Sequence, residues 1–186
     1  MGKLYTALGL MSGTSMDGVD ASIIKSDGER VYSALFDRYF EYGDKIRQKI
    51  LDIRAKILVP DHLIKHESEI KDIEREITLF HSNVVKEILN NNKIDVDLLG
   101  FHGQTIFHDS KKKITKQLGD GKLLSQLTKK KVVYNFRQND LKNGGQGAPL
   151  TPIFHNLIAN KYLKEKLDKS YSVNFVNIGG ISNITQ

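Results

Sequence analysis

Three short apolar segments separated by turn-forming residues open the chain, and their close spacing constrains the fold more than any other feature. Leu4–Leu10, Val19–Lys25 and Val31–Tyr39 contain the β-branched and aromatic residues typical of strands. The connections between them contain Ser12–Ser15 and Ser26–Gly28, which favour turns. Strands this close in sequence pair with their neighbours, so we predict an antiparallel meander.

A long helical region is predicted after the meander. One helix covers Asp44–Leu58, Pro60 interrupts the pattern, and Asp61 is expected to cap a second helix that continues to about Asn90. The second helix carries an apolar stripe at helical spacing with charged residues around it. The stripe consists of Ile70, Ile73, Ile77, Phe80, Val84 and Ile88.

Strands and helices alternate in the rest of the chain. We predict a buried strand at Leu98–Gln104, a short helix at Lys122–Leu127, a strand at Val132–Phe136, a helix from Pro152 to about Leu167, and strands at Ser172–Ile178 and Ser182–Thr185 joined by Gly179-Gly180. The order β-β-β-α-α-β-α-β indicates an α/β lobe with a mixed sheet. The last hairpin repeats the opening pattern of apolar strand, glycine turn and hydroxyl residue. We therefore expect one lobe over residues 1–150, and a connecting helix and the first hairpin of a second lobe over 151–186.

Composition excludes several classes of protein. The chain contains no cysteine, which rules out disulfides and cysteine-ligated zinc and suits a reducing compartment. No segment approaches the roughly 20 apolar residues that span a bilayer, so no membrane association is expected. The net charge is +6, but the lysine runs Lys111–Lys113 and Lys129–Lys131 have no aromatic residues interleaved for base stacking. We expect no nucleic-acid binding, and a basic surface that attracts an anionic substrate such as a nucleotide.

The segment Gly9–Asp20 combines glycine, hydroxyl and acidic residues in a pattern that suits phosphate binding. Glycines allow a tight turn whose N–H groups face an anion, hydroxyls add donors, and carboxylates hold Mg²⁺ through water. The glycines are Gly13 and Gly18, the hydroxyl residues are Thr14 and Ser15, and the carboxylates are Asp17 and Asp20. The segment lacks the Gly-Lys-Ser/Thr of a Walker loop and precedes a strand. A plain hairpin with polar turn residues is the alternative.

Two further polar clusters end predicted strands, where ligands collect in open α/β sheets. His102, Gln104 and Thr105 offer donors and acceptors suited to sugar hydroxyls. Arg137 ends the next strand and can pair with a carboxylate or phosphate. The glycine-rich segment Asn143–Leu150 indicates a backbone close to a ligand or a neighbouring lobe. The alternatives are a hydrogen-bonded core histidine, a surface arginine and a flexible linker.

Two other patterns carry no predicted site. His62 and His66 lie four residues apart beside Glu67, but no third ligand follows at the spacing of a metal motif. We interpret them as a solvated helix face and predict no protein metal centre. Ser12 and Ser15 lack the Gly-x-Ser-x-Gly elbow of a serine hydrolase.

Together these segments resemble the anhydro-N-acetylmuramic acid kinases. The run Met-Ser-Gly-Thr-Ser-Met-Asp-Gly-Val-Asp with a later Gly-Gly-Gln-Gly-Ala-Pro-Leu is highly specific for that family. The matching segments follow the family's order and are Gly9–Asp20, Gly100–Thr105, Leu118–Thr128, Val132–Pro152 with Phe154-His155, and Asn177–Thr185. The resemblance implies an actin-like, ribonuclease H-like ATPase fold, in which this chain is the first of two duplicated lobes and ATP and sugar bind between them.

The resemblance also implies a reaction and its site residues. The family opens the 1,6-anhydro ring of anhydro-N-acetylmuramic acid with water and phosphorylates O6 from ATP and Mg²⁺, in cytoplasmic recycling of cell-wall sugars. By the family pattern the ATP phosphate loop consists of Gly13, Thr14, Ser15, Met16, Asp17, Gly18, Val19 and Asp20. His102, Gln104 and Arg137 would face the sugar and its lactyl carboxylate. A loop of amides with Mg²⁺ suits phosphoryl transfer, which depends on positioning and charge neutralisation.

The sequence departs from the family pattern in two places. Asn135 stands where the family usually has aspartate, and the family's water-activating aspartate belongs to an Asp-Thr-Gly-Pro segment expected beyond Gln186. We therefore assign no catalytic base, expect the isolated chain to be inactive, and expect it to associate with itself or with a second-half chain. A non-catalytic remnant and one half of a split enzyme are alternatives. A levoglucosan-type kinase is another, although engagement of Arg137 would favour the muramic sugar.

Overall fold

The computed structural model describes residues 2–166, 172–178 and 182–186. Its strands are β1 (Tyr5–Ser12), β2 (Gly18–Ser26), β3 (Tyr32–Glu41), β4 (Leu98–Asp109), β5 (Ile114–Leu118), β6 (Lys131–Tyr134), β7 (Phe175–Asn177) and β8 (Asn183–Thr185). Its helices are α1 (Asp44–Lys56), α2 (Pro60–Lys65), α3 (Glu67–Asn92), α4 (Gly121–Thr128), α5 (Phe136–Lys142) and α6 (Pro152–Lys166).

The first three strands form the antiparallel meander that the sequence predicts. Strand β1 pairs with β2, and β2 pairs with β3 along its whole length. Along β2, Val19, Ala21 and Ile23 are buried and alternate with more exposed residues. One face of the meander therefore contacts the core, as the two-residue period of a strand requires.

Strand β4 completes a mixed sheet. Its first part, Leu98–Phe101, lies between β1 and β6 and runs parallel to both. Its second part, Gln104–Asp109, pairs antiparallel with β5. The continuous order is β3-β2-β1-β4-β6, with β5 beside the far end of β4. This mixed sheet with its helices confirms the predicted α/β lobe and is consistent with the actin-like, ribonuclease H-like fold.

Helices α1 and α3 cover the apolar face of the sheet. Their buried side chains include Ile50 and Ile53 of α1 and Ile77 of α3, each fully buried. Five of the six predicted stripe positions in α3 are buried, and Phe80 is partly buried against the same cluster. Burial of such a stripe stabilises a helix more than its intrinsic propensity does.

The helical region contradicts one prediction. We expected a single helix from Asp61 to about Asn90, but the chain leaves helical geometry at His66, which separates α2 from α3. Val59 precedes the first turn of α2, where Pro60 fits because its missing N–H is not needed. His62 Nδ1 lies 2.8 Å from the Lys56 carbonyl oxygen at the end of α1. This tertiary contact holds α2 at the end of α1.

Two elements, strand β5 and helix α5, were not predicted. Strand β4 continues to Asp109 and turns at the lysine run into β5, which lacks an apolar pattern. We expected a strand over Val132–Phe136, but β6 ends at Tyr134 and α5 begins at Phe136. Asn135 between them has a left-handed φ of 60°, a conformation that asparagine adopts more easily than most residues.

The last elements are a helix and a short hairpin with exposed apolar side chains. Helix α6 begins at Pro152, as predicted, while the expected end at Leu167 and the turn at Gly179-Gly180 lie outside the described residues. Strands β7 and β8 pair antiparallel, and the side chains of Val176, Ile178 and Ile184 are 60%, 81% and 66% exposed. In the described part of the chain, no helix has the length and apolar character needed to cross a bilayer.

Candidate functional site

The parallel pairing of β1 and β4 brings the two main predicted clusters to one edge of the sheet. In the register of these strands, Ser12 lies opposite Gln104. The loop after β1 therefore begins beside the strand that carries His102 and Gln104. Carboxyl ends of parallel strands are the usual ligand-binding edge of an open α/β sheet.

The loop after β1 is a tight turn closed by its own residues. The Met16 N–H donates to the Gly13 carbonyl at 3.3 Å, and Met16 has a left-handed φ of 57° with a side chain that is 1% exposed. We expected glycines to provide this turn, but neither Gly13 nor Gly18 has a positive φ. Burial of the Met16 side chain in the core holds the conformation, which for a residue with a Cβ is unfavourable without such support.

The predicted phosphate-binding residues divide into an outer and an inner set. Thr14, Ser15 and Asp20 are exposed and Gly13 and Asp17 are half-buried, whereas Met16, Gly18 and Val19 are buried. The outer set offers hydroxyl and carboxylate groups to a ligand. The inner set supports the loop from the core side.

Asp17 is the central carboxylate of the loop. The Ser15 hydroxyl donates to Asp17 Oδ1 at 2.6 Å, and this hydrogen bond holds the pKa of Asp17 below its usual value. Partial burial raises the pKa of the neighbouring Tyr39 hydroxyl, and the charge of Asp17 adds to the effect. The Asp17 carbonyl accepts from the Tyr42 N–H at 2.8 Å. An ionised carboxylate beside hydroxyl groups suits the oxygen-ligand chemistry of Mg²⁺.

The two loop glycines have different structural requirements. A Cβ at Gly18 would overlap the Phe40 carbonyl oxygen and would lie 2.6 Å from the Tyr39 ring. A Cβ at Gly13 would meet only Ser15 Oγ at 3.7 Å, an ordinary contact. Packing of this lobe therefore requires glycine at position 18 but not at position 13.

Gln104 joins β4 to the loop. Its side chain is fully buried, and its Nε2 donates to the Gly13 carbonyl at 2.9 Å. Its Oε1 is buried and has no hydrogen-bond partner among the described residues. The nearby Thr105 hydroxyl accepts from Gln117 Nε2 at 3.2 Å, within the β4–β5 pair. Gln104 thus holds the loop in place, and its contact with a sugar stays a prediction.

His102 and Arg137 bind each other. Arg137 Nε donates to His102 Nε2 at 2.8 Å, and His102 Nδ1 lies 2.6 Å from the Gly103 carbonyl oxygen. Burial, with the charge of Arg137, lowers the pKa of His102 to about 4. Burial also lowers the pKa of Arg137. His102 is therefore a neutral partner of a partly buried cation at neutral pH.

The glycine-rich segment is held by Asp140, which the sequence analysis missed. Arg137 Nη1 donates to the Gly147 carbonyl at 2.8 Å, and the Gly147 N–H donates to Asp140 Oδ2 at 2.7 Å. Gly147 has a left-handed φ of 73°. A carboxylate shortly before a glycine run is the pattern that could have indicated this side-chain-to-backbone contact.

A buried polar network beneath the loop was also missed. Ser12 Oγ lies 2.8 Å from the Tyr42 hydroxyl and 3.4 Å from His81 Nε2, and His81 Nδ1 lies 2.8 Å from the Ile77 carbonyl. Burial lowers the pKa of His81 to about 4 and raises that of Tyr42. The only sequence indication was the position of His81 four residues after Ile77 in the apolar stripe of α3.

An open cleft of about 840 Å³ lies on the side of the sheet where β6 leads into α5. His102 contributes to its wall, together with Tyr134, Asn135, Phe136 and Leu150. Its lining combines apolar surface with amide side chains, the mixture expected of a small-molecule site. The cleft places the predicted sugar-side histidine next to a space large enough for a sugar.

The different environments of the two loop glycines predict different effects of alanine. Gly18→Ala should lower the free energy of unfolding by more than about 2 kcal/mol, because Cβ overlaps backbone. Gly13→Ala should change it by less than about 0.5 kcal/mol. Chemical denaturation of both variants measures these values. Equal losses in the two variants would contradict the described loop geometry.

The buried His81 predicts a loss of stability in mild acid. Its pKa lies below the usual value of 6.5, at about 4, so the unfolded chain binds a proton more readily between these pH values. The stabilising contribution is complete above pH 6.5 and is lost as the pH falls towards 4, by roughly 3 kcal/mol in total. Denaturation of wild type and His81→Gln at several pH values tests this. Parallel pH dependences for the two proteins would contradict it.

Comparison with known proteins shows which family this chain resembles. A family model described as anhydro-N-acetylmuramic acid kinase matches residues 5–186. A protein of that name from Pelagibacter ubique (strain HTCC1062) is 59% identical over 185 residues, which make up 100% of this chain and 48% of the relative. The Agrobacterium fabrum protein of the same name is 42% identical over 194 residues, with 100% of this chain and 50% of the relative covered.

A third relative from Rhodopseudomonas palustris carries the same name and is 36% identical over 185 residues, with 98% of this chain and 49% of the relative covered. The chain thus spans about half the length of the curated relatives it matches, which fits the first of two lobes. The match of the family model along nearly the whole chain agrees with the mixed α/β lobe of the structure. The chain belongs to the anhydro-N-acetylmuramic acid kinase family.

Proposed function

We propose that this chain forms one half of the site of an ATP-dependent kinase that opens the anhydro ring of anhydro-N-acetylmuramic acid with water and phosphorylates O6. The observation that carries the proposal is the hydrogen bond from Gln104 to the Gly13 carbonyl. It joins the loop proposed for the ATP phosphates to the strand proposed for the sugar. A kinase must hold its two substrates in a fixed relative position, and this connection supplies that constraint.

The loop after β1 is proposed to bind the phosphates of ATP. Exposed Thr14 would supply a hydroxyl donor, the Ser15 hydroxyl would hold the Asp17 carboxylate, and Asp17 with Asp20 would hold Mg²⁺ through water. Bound Mg²⁺ would neutralise charge on the transferred phosphoryl group, which is the main requirement of this chemistry. The hydrogen bond from Ser15 supports this role, because it holds the Asp17 carboxylate in place within the loop.

The sugar is proposed to bind beside His102 and Arg137. The guanidinium of Arg137 is partly buried, and its described hydrogen bonds go to uncharged groups, the His102 ring and the Gly147 carbonyl. The lactyl carboxylate of a muramic sugar would supply the missing negative charge. Levoglucosan lacks this carboxylate, so Arg137 favours the muramic sugar over a levoglucosan-type substrate.

The rest of the site is proposed to come from a region equivalent to the part of the relatives that this chain does not cover. That region would supply the base that activates water and the adenosine contacts. It could belong to the same polypeptide, to a second copy or to a separate chain. Because the relatives are named as enzymes of a cell-wall sugar, we also propose a cytoplasmic role in cell-wall recycling.

Magnesium-dependent nucleotide binding tests the loop assignment. Asp17→Asn should weaken binding of ATP with Mg²⁺ about ten-fold and should change binding without Mg²⁺ much less, because the lost charge acts on the cation. Asp61→Asn, on exposed α2, is the matched control and should bind as the wild type does. Titration calorimetry of the 186-residue chain gives these constants. Equal affinity of wild type and Asp17→Asn for ATP in the presence of Mg²⁺ would contradict the assignment of this loop to phosphate binding.

Complementation tests the reaction. The chain alone should give no detectable ADP release with ATP and anhydro-N-acetylmuramic acid, because loss of a general base alone costs roughly 10²–10⁴-fold in rate. Addition of the part of the Pelagibacter ubique relative that this chain does not cover should restore transfer to O6. Turnover by the chain alone would contradict the half-site. Failure of both nucleotide binding and complementation would favour a non-catalytic lobe.

A further inference from the structure

We propose that His102 is a positioning residue, which orients Arg137 towards a carboxylate-bearing ligand and does not itself contact the sugar through its ring nitrogens. The carboxylate as ligand rests on the proposed function. The orientation of Arg137 by His102 rests on the described hydrogen bonds alone. This role differs from direct sugar binding, the role that the family resemblance implied for His102.

The hydrogen bonds of His102 select one form of its ring. The Gly103 carbonyl can only accept, so His102 Nδ1, at 2.6 Å, must carry the hydrogen. Arg137 Nε can only donate, so His102 Nε2, at 2.8 Å, must be the acceptor. The neutral ring with hydrogen on Nδ1 satisfies both contacts. Protonation would lose the contact with Arg137, and the other neutral form would lose both contacts.

The surroundings of His102 favour this neutral form. Its pKa is lowered to about 4, first by burial and then by the charge of Arg137 on α5. The charge of His102 would in turn lower the pKa of His81 on α3, which is itself buried. At neutral pH both ring nitrogens are engaged and the ring is uncharged. Transfer of a proton by His102 would require it to release Arg137.

The contacts of Arg137 leave a defined part of its guanidinium for a ligand. A guanidinium has five N–H donors, and the described contacts use one on Nε and one on Nη1. The three remaining donors lie on Nη1 and Nη2. A pair of such donors can bind a carboxylate in a bidentate manner.

The supporting contacts of Arg137 extend on both sides. His102 fixes Nε from β4, and the Gly147 carbonyl fixes Nη1 from the glycine-rich segment. Asp140 in turn holds the Gly147 N–H. Arg137 is therefore fixed before a ligand arrives, which reduces the entropy lost on binding. No carboxylate among the described residues forms an ion pair with Arg137.

The state of the ring can be measured without any ligand. Long-range ¹H–¹⁵N correlation spectra of the 186-residue chain should show His102 as the neutral ring with hydrogen on Nδ1, unchanged from pH 7.5 to pH 5.5. A ring with hydrogen on Nε2, or a charged ring at pH 7, would overturn the positioning role. This result does not depend on the proposed function.

Two substitutions of His102 separate positioning from direct contact. His102→Gln keeps an acceptor for Arg137 Nε, and His102→Leu removes it. The probes are N-acetylmuramic acid, which has the lactyl carboxylate, and N-acetylglucosamine, which lacks it. We expect wild type and His102→Gln to prefer N-acetylmuramic acid by roughly ten-fold, the effect of a hydrogen-bonded charged group. His102→Leu should lose this preference while its affinity for N-acetylglucosamine stays within about three-fold.

Arg137→Lys provides the second arm of the experiment. It should lose the same preference, and the double variant His102→Leu/Arg137→Lys should lose no more, because both changes remove one interaction. A His102→Leu chain that keeps the wild-type preference, or additive losses in the double variant, would overturn the proposal. If wild type fails to distinguish the two sugars, the carboxylate assignment and the proposed substrate both fail. The ring spectrum then decides the positioning role alone.

Discussion

The site depends on the parallel pairing of β1 with β4, which the Gln104–Gly13 hydrogen bond reinforces across 91 residues of sequence. Parallel strands end at the same edge of a sheet, so the loop after β1 and the polar residues of β4 must lie side by side. The bond is partly buried, and loss of the Gly13 acceptor would leave the amide of the fully buried Gln104 without this partner, at a cost of about 1–3 kcal/mol. This constraint fixes the position of the loop after β1 relative to β4.

Local patterns predicted most of the lobe. The meander, the stripe of α3 and the strand β4 follow from periods of two and 3.6 residues, which a single sequence displays directly. The missed elements depend on contacts with neighbouring elements and not on a periodic pattern of their own. Strand β5 is held by β4 and has no apolar pattern, and the break at His66 accompanies the contact of His62 with the end of α1. Tertiary contacts of this kind cannot be read from the local sequence.

Sequence patterns suggested candidate groups for a site but did not indicate how these groups contact one another. The composition of the loop after β1 indicated phosphate binding by a glycine turn. The residue with left-handed backbone in this loop is Met16. Gly18 is needed for packing, because a Cβ there would overlap Tyr39 and Phe40. His102 and Arg137 were each predicted as ligands from their own strand ends. Their contact spans 35 residues of sequence, and only the sheet brings them together. Ser12 and His81 are 69 residues apart, and only the packing of α3 in the folded chain brings them together.

The structure explains how asparagine at position 135 can replace the aspartate that is usual in the family. Its backbone is left-handed with φ of 60°, and its side chain makes no hydrogen bond to the start of α5. Asparagine tolerates this conformation at least as well as aspartate does, so the exchange carries no backbone cost. It removes a negative charge two residues before Arg137, whose described partners are uncharged. A carboxylate ligand at Arg137 would therefore meet less repulsion in this chain than in a relative with aspartate at this position.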